Sequence, residues 1–501
     1  MRESLPISFI TQELDRQNLL PAIVFRSART QCDADAERAG ANQRMKLSPT
    51  LQRELRQRVH EIATSYDMDL ELITSHPHYA ALVTTGVGAH HAGQLLMWRL
   101  LLEELMAAGL LRVLVATGTV AAGVDFPART VVITAHSKRG ADGFRQLTAA
   151  EFQQMSGRAG RRGRDTVGFC VAAPSPFCDA RQLLHIAKQP PEPLVSSYFP
   201  SPSTVLNLLR YRNVDDLRYT VQRSLASFID RKHAQELRDQ ARTTAERLPP
   251  SVRQKVLTEI GGQKVEASEA DEDEEFEAQS SLQLSREDKR LAKRVRRFFR
   301  EAGDLELRQR SLLDAAFEGL GRLGYVDGVT LSEKGNWAAN LCTTLVIELA
   351  EIIESGMLDG ISAEALVAIV ASISGDPHRQ YLPTKNPPLT KDLLQKIHDI
   401  IIRVRDSGMP GASDDRTPVP YAAYTAVVWL QSEDWHQFRS LLLLSGVAEG
   451  DAARLITQTA EHLNQLTRLT ESHPQLALRA EEAKRRILRP PLTEVINLET
   501  I

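Results

Sequence analysis

The residues best suited to chemistry lie between Gln153 and Asp165, QQMSGRAGRRGRD, where four arginines are interleaved with glycines. Arg158 and Arg161 stand three residues apart, and the glycines around them let the backbone turn sharply and come close to a ligand. A guanidinium is always charged, and its planar fork matches phosphate oxygens, so such a pair can neutralise charge developing on a γ-phosphate in transfer. In phosphoryl-transfer enzymes an arginine finger contributes on the order of 10³ to 10⁵ in rate. The same residues also compose a basic surface loop or a phosphate clamp on nucleic acid. The loop alone favours that plainer reading.

The elements that must position the arginines are legible as buried runs. PAIVF (21–25), LRVLVA (111–116), RTVVIT (129–134) and TVGFCVAA (166–173) are short, apolar and rich in valine and isoleucine, which predicts parallel strands buried on both faces. LLMWRLLLEELMAAG (95–109) is too long for a strand and closes on glycine, which predicts a helix. Thr148 and Glu151 have capping-box spacing, so the arginine loop should leave a short helix through Gly157. The order is that of a β-α-β fold.

Composition adds bounds. The 501 residues are 42% hydrophobic and 25% charged, enough globular material for about three domains. A net charge of −3 provides no overall basic field, so nucleic-acid binding would need local patches. Cys32, Cys170, Cys178 and Cys342 form no C-x-x-C pair; they read as buried small hydrophobes in a reducing, cytoplasmic compartment. No apolar run approaches the ~18 residues of a spanning helix, and no membrane association is expected. Adjacent His90 and His91 point to different sides with no carboxylate cluster beside them, so no metal site is expected.

Beyond the sheet the chain divides by composition. Residues 179–260 read as a helical connector and 261–285 as an acidic, disordered linker. In 286–360 a basic helix with Leu291, Val295, Phe298 and Phe299 on one face is followed by LGRLGYVDGVTLSEKGNWAANL, a turn, hairpin and helix that suggest a winged-helix unit. Residues 361–501 read as a helical domain.

Taken in order, GAHHAGQLLMWRLLLEELMAAGLLRVLVATGTVAAGVDFPARTVVI and EFQQMSGRAGRRG resemble motifs V and VI of superfamily 2 DExH helicases, of the superkiller-type RNA helicase branch. PAIVFRSARTQCD is similar to motif IV, and VAEGDAARLITQTAEHLNQLTRL to a family helix that lies along nucleic acid. The resemblance implies a second RecA-like domain over 1–178: an α/β parallel-sheet domain followed by a winged-helix unit and an α-helical domain. It makes Arg161 the arginine finger, Arg158 its companion, and Gln154, Gly123 and Asp125 nucleotide contacts. Thr117, His91 and Arg454 become nucleic-acid contacts, with Gln458 one turn on from Arg454. ATP and Mg²⁺ are the implied cofactors, and single-stranded or tailed RNA or DNA, RNA first, the implied partner. Two departures stand out against many relatives: Gly118 where they carry Glu, and Asp125 where they carry Asn. No large insertion of the arch type is apparent in the sequence.

A helicase motor also needs a phosphate loop, G-x-x-x-x-G-K-[ST], and a DExH carboxylate pair. Neither occurs in these 501 residues. The acidic string EADEDEEFEA (269–278) follows no buried strand and does not substitute for them. With Met1 only some twenty residues before the first strand, a first RecA-like domain is expected on another polypeptide. The chain then reads as a split subunit, the product of an interrupted gene, or an ATPase-dead scaffold that still binds nucleic acid. Purified alone, it should show no appreciable ATPase activity in a phosphate-release assay. Nucleic-acid-stimulated turnover that Arg161→Ala abolishes would overturn this expectation.

Overall fold

The computed structural model describes residues 4–118, 127–140, 143–262, 285–411 and 416–493. Gly123, Asp125 and nearly all of the acidic linker lie outside the described residues.

Five strands, β1 (Ala22–Phe25), β2 (Val87–His90), β3 (Val113–Ala116), β4 (Thr130–Ile133) and β7 (Phe169–Ala172), form one sheet in the order β2-β3-β1-β4-β7. Every neighbouring pair is parallel. Side chains alternate between two cores, as a period of two requires. Ile23, Phe25, Leu114, Val131 and Ile133 face the helix Leu96–Ala107 and its buried Trp98, Leu101, Leu102 and Leu105. Ala22, Val24, Val113, Val115 and Val132 face Ile7, Ile10 and Leu14 of the helix Ile7–Arg16, together with Cys32, Ala36 and Ala39. β5 (Ser137–Gly140) and β6 (Gly143–Gln146) pair as an antiparallel ribbon beside the sheet.

Two sequence-based expectations need correction. β7 is not buried on both faces: it is the edge strand, and Val167, Phe169 and Val171 at its start and along it are exposed. Cys170 on that edge and Cys342 are exposed as well, while Cys32 and Cys178 are buried. The structure also adds β2 and the helices Arg29–Ala41, Pro49–Ser65, Leu70–Thr74 and Tyr79–Thr85 between β1 and the Leu96–Ala107 helix. β2 escapes a pattern reading because its VGAH is short and carries Gly88 where Leu102 packs: a Cβ there would lie 2.7 Å from Leu102 Cδ2. The Arg29–Ala41 helix packs through small residues and so shows little amphipathic contrast.

The basic helix is longer than its composition suggests, running from Arg286 to Arg322. Its first half packs with the helices Leu225–Ala245 and Pro250–Gly262 around a separate core of Ala241, Ala245, Leu248, Val252, Val256, Ala292, Val295 and Phe298. The connector and the basic helix therefore build one helical arm. The hairpin β8 (Val326–Asp327) and β9 (Thr330–Leu331) follows, then the helix Glu333–Ala338, capped by Ser332. The C-terminal region centres on the almost wholly buried helix Ala363–Ser374. Against it pack the helices Pro420–Gln431, Glu449–Leu466 and Pro474–Ile487.

A polar joint fastens this helical region to the sheet domain. Arg439 Nη1 donates to Leu72 O (3.0 Å) and Ser75 Oγ (3.1 Å), and its Nε lies 3.0 Å from Glu449 Oε1. Trp435 Nε1 donates to the same carboxylate at 3.2 Å. Gly450 N–H donates to Gly93 O at 3.0 Å, and a Cβ on Gly450 would come within 2.6 Å of Ala92 O. Asp451 accepts from Arg29 Nη1 (2.8 and 3.0 Å) and from Arg379 Nη1 (3.1 Å). Burial pushes the Glu449 carboxyl up while Arg439 pulls it down. Removing the cation should thus leave an unpaired buried acid, and Arg439→Ala is expected to lower stability by about 3 kcal/mol. Denaturant unfolding followed by tryptophan fluorescence would check this; an unchanged midpoint would remove the joint from the account of stability.

Candidate functional site

The arginine loop is built from its glycines outward. The helix Ala149–Ser156 carries the predicted capping box, with Thr148 Oγ1 accepting from Glu151 N–H and Glu151 Oε2 accepting from Thr148 N–H. It ends at Gly157, and the chain then lies beside the entry to β4: Ala128 N–H donates to Arg158 O at 2.9 Å and Gly160 N–H to Ala128 O at 2.7 Å. Gly160 needs its positive φ of 91°, and behind it Gly168 approaches so closely that a Cβ would stand 2.5 Å from the Ala159 carbonyl carbon. Glycine is therefore required on both sides of this contact.

Arg161 is held by a partner that the sequence reading did not name. Asp165 accepts from Arg161 Nε at 2.8 Å, from Nη2 at 3.0 Å and from the Arg161 backbone N–H at 3.0 Å. The Asp165 side chain is only 5% exposed and that of Arg161 21%. Hydrogen bonds from Arg161 hold the Asp165 carboxyl down to about 2. The pair occupies Nε and Nη2 and leaves Nη1 outside it. Arg158 is half-buried, Gln154 is exposed, and Arg162 and Arg164 are exposed. The loop thus gathers Arg158, Arg161 and Gln154 at the N-terminal ends of β4 and β7, where they offer fixed cationic donors suited to an anion.

The expected nucleic-acid contacts gather at the opposite end of the sheet. β2 and β3 finish in register, His90 beside Ala116, and Thr117 N–H reaches His90 O at 3.4 Å. Thr117 is half-buried there, and a Cβ on Gly118 would meet open space. His91 has a different place from the one the resemblance implies. It is 4% exposed, its Nε2 bonds Asp33 Oδ1 at 2.8 Å, and its Nδ1 accepts from Gly93 N–H at 3.1 Å. Both ring nitrogens are engaged, so His91 shapes the turn beneath the surface. Asp33 also bonds His78 Nε2 at 3.0 Å. Burial raises the Asp33 carboxyl, but the bonds from His78 and His91 outweigh it and keep that group well below its ordinary range.

Arg454 joins this end through the joint. Gly450 rests on the His91–Gln94 turn, and Arg454 follows one helical turn later, exposed. Gln458, a further turn on, lines a cleft of about 680 Å³ with Asn207, Thr343 and His462. Burial, then the Arg416 charge, lowers the His462 imidazole to about 4, so it is neutral at pH 7, with Nδ1 2.7 Å from Thr343 Oγ1. Asp165, Asp33, Arg29, Arg439, Glu449 and Asp451 all bear on the site, and the sequence reading assigned none of them. Only Asp165, four residues after Arg161, and the EGD triplet offered a local signal.

The Asp165 latch carries a pH signature. Because the folded carboxyl titrates below an ordinary aspartate, its stabilisation is fully present above about pH 4 and fades as pH falls through about 2. Asp165→Ala should accelerate amide exchange at Arg161 and trypsin cleavage within the loop several-fold at neutral pH. Unchanged exchange would mean that the glycine contacts alone fix the loop.

The helicase conserved C-terminal domain family matches residues 81–163, and the DSHCT (NUC185) domain family matches residues 328–494. The probable helicase HelY of Mycobacterium tuberculosis is 34% identical over 224 residues, covering 44% of this chain and 24% of HelY. Superkiller complex protein 2 of Mus musculus is 34% identical over 237 residues, covering 44% of this chain and 18% of that protein. The chloroplastic DExH-box ATP-dependent RNA helicase DExH15 of Arabidopsis thaliana is 35% identical over 209 residues, covering 42% and 17%. The matched stretch spans about a quarter of these relatives or less. Over the matched stretches the chain is similar to superkiller-type DExH helicases, and it matches the helicase C-terminal and DSHCT domain families.

Proposed function

We propose that this chain forms the second half of an ATP-driven nucleic-acid motor, with the arginine loop facing a triphosphate held by a polypeptide that carries the phosphate loop and DExH pair. The observation that carries the reading is the separation of the two groups of residues on one rigid sheet. Arg158, Arg161 and Gln154 lie at the N-terminal ends of the strands, Thr117 and Arg454 at the C-terminal end, about 13 Å away along four-residue strands. A charge change sensed at one end would move the other as a body.

In this reading water attacks the γ-phosphorus, the bond to the β–γ bridging oxygen breaks, and Arg161 and Arg158 stabilise the charge spread over the phosphoryl oxygens. The loop fits a polyphosphate through its guanidinium donors. Among the described residues no group of three or more His, Cys, Asp or Glu is arranged to hold a metal ion, and the reading gives Mg²⁺ to the partner polypeptide. The uncovered edge at Val167, Phe169 and Val171, close to the loop, suits the packing of that partner. RNA is the preferred strand, in keeping with the name of the Arabidopsis relative.

One observation favours a second reading, an ATPase-dead scaffold that binds nucleic acid: Arg161 is already bonded within its own loop. ATPase assays with a polypeptide carrying the phosphate loop and DExH pair separate the two. The motor reading expects turnover that Arg161→Ala lowers about 10³-fold, and no turnover would promote the scaffold. In both readings, single-stranded RNA measured by fluorescence anisotropy should bind more weakly as salt rises, and Arg454→Glu should reduce affinity roughly tenfold. Salt-independent affinity would remove the strand from either reading.

A further inference from the structure

The hairpin β8–β9 and the turn before the helix Val214–Gln222 enclose a second cleft, of about 720 Å³, none of whose lining residues belongs to the interface above. Arg210, Tyr211, Arg212 and Arg218 line one side, Val329 and Asn336 the other. Tyr211 is 80% exposed and Val329, between the two hairpin strands, 65% exposed. A tyrosine so placed presents an aromatic face that the fold itself leaves uncovered.

The cations around it are organised. Arg210 is fixed by a 2.6 Å bond from Nη1 to Asn340 Oδ1, which holds its guanidinium 5.6 Å from the Tyr211 ring centre. Arg218 lies 3.3 Å from Asp215 and 3.9 Å from Asp314, and Asp215 and Asp216 also line the cleft, so its three arginines exceed its two aspartates by one positive charge. Along the same helix Tyr219 is exposed, with Arg223 5.3 Å from its ring centre and bonded to its hydroxyl. The far wall is rigid: Ser332 N–H donates to Tyr325 O at 3.0 Å and Ser332 Oγ accepts from Gly335 N–H at 3.0 Å.

An exposed aromatic face flanked by guanidinium groups in an open groove matches the chemistry of a single strand, whose bases stack and whose phosphates repeat. We propose that this groove binds single-stranded nucleic acid, with one base on Tyr211 and neighbouring phosphates on Arg210 and Arg212. The inference rests on the strand-binding part of the proposed function but uses separate residues, so the two can fail separately.

The test uses the full chain and a fluorescein-labelled oligouridylate of roughly 16 nucleotides. Tyr211→Ala should weaken binding about tenfold, Tyr211→Trp should retain it, and Arg212→Glu should weaken it and lower the salt slope by about 1. Ultraviolet crosslinking should place the strand on Tyr211. Wild-type affinity in Tyr211→Ala, while Arg454→Glu binds weakly, overturns the groove and spares the interface at the sheet. Unchanged affinity in both variants overturns the groove together with the strand-binding reading. Equal loss in Tyr211→Ala and Tyr211→Trp also overturns it, because stacking would not be the cause. Displacement of the oligonucleotide by an acidic peptide with Tyr211-dependent affinity would assign the groove to protein and overturn the proposal.

Discussion

The arrangement of the molecule depends on the joint at Glu449, Gly450 and Asp451. Arg439 and Glu449 are almost fully buried, and a buried ion pair adds little net free energy because desolvation offsets attraction. Its effect is selective, since any other docking of the helical region would leave the buried Arg439 Nη1 without Leu72 O and Ser75 Oγ. Gly450 fixes the register further, because only a residue without a side chain lets the helix rest on the His91–Gln94 turn. Arg454 and Gln458 inherit their positions from this contact.

The arginine loop follows a related logic on a smaller scale. Its glycines serve close backbone contact with Ala128 and Gly168 as much as flexibility, and that contact sets where the guanidinium groups emerge. Asp165 then removes the conformational freedom of Arg161, so little ordering entropy remains to be lost when an anion arrives. An arginine held in this way is preorganised, yet it must share its donors between its own aspartate and any ligand. That competition is where the two functional readings part.

The resemblance to superkiller-type helicases came from contiguous stretches; the helicase C-terminal match spans β2, β3 and β4, and the DSHCT match spans the C-terminal helical region. Strands β1, β3 and β4 and the helix Leu96–Ala107 were legible because burial on both faces demands apolar, β-branched runs and long amphipathic ones. β7 carried the same signature and proved to be the uncovered edge, since an apolar run records what a surface can bury against and not whether the same chain supplies the cover. The helical arm was hidden because its two sides are separated by the acidic stretch and only their pairing creates a core.

By itself the sequence determined the local chemistry: the capping box before the arginine loop, the always-charged arginine pair, the glycines around it, and the apolar runs of β1, β3 and β4 with the helix Leu96–Ala107. These depend on neighbours within a few residues, and spacing encodes them. Only the tertiary structure decided that His91 lies bonded beneath the surface, that Asp165 holds Arg161, and that EGD is a joint to a turn more than 350 residues earlier. Hydrogen-bond partners and burial are properties of three-dimensional neighbours, and no one-dimensional pattern records which distant group will occupy a given donor.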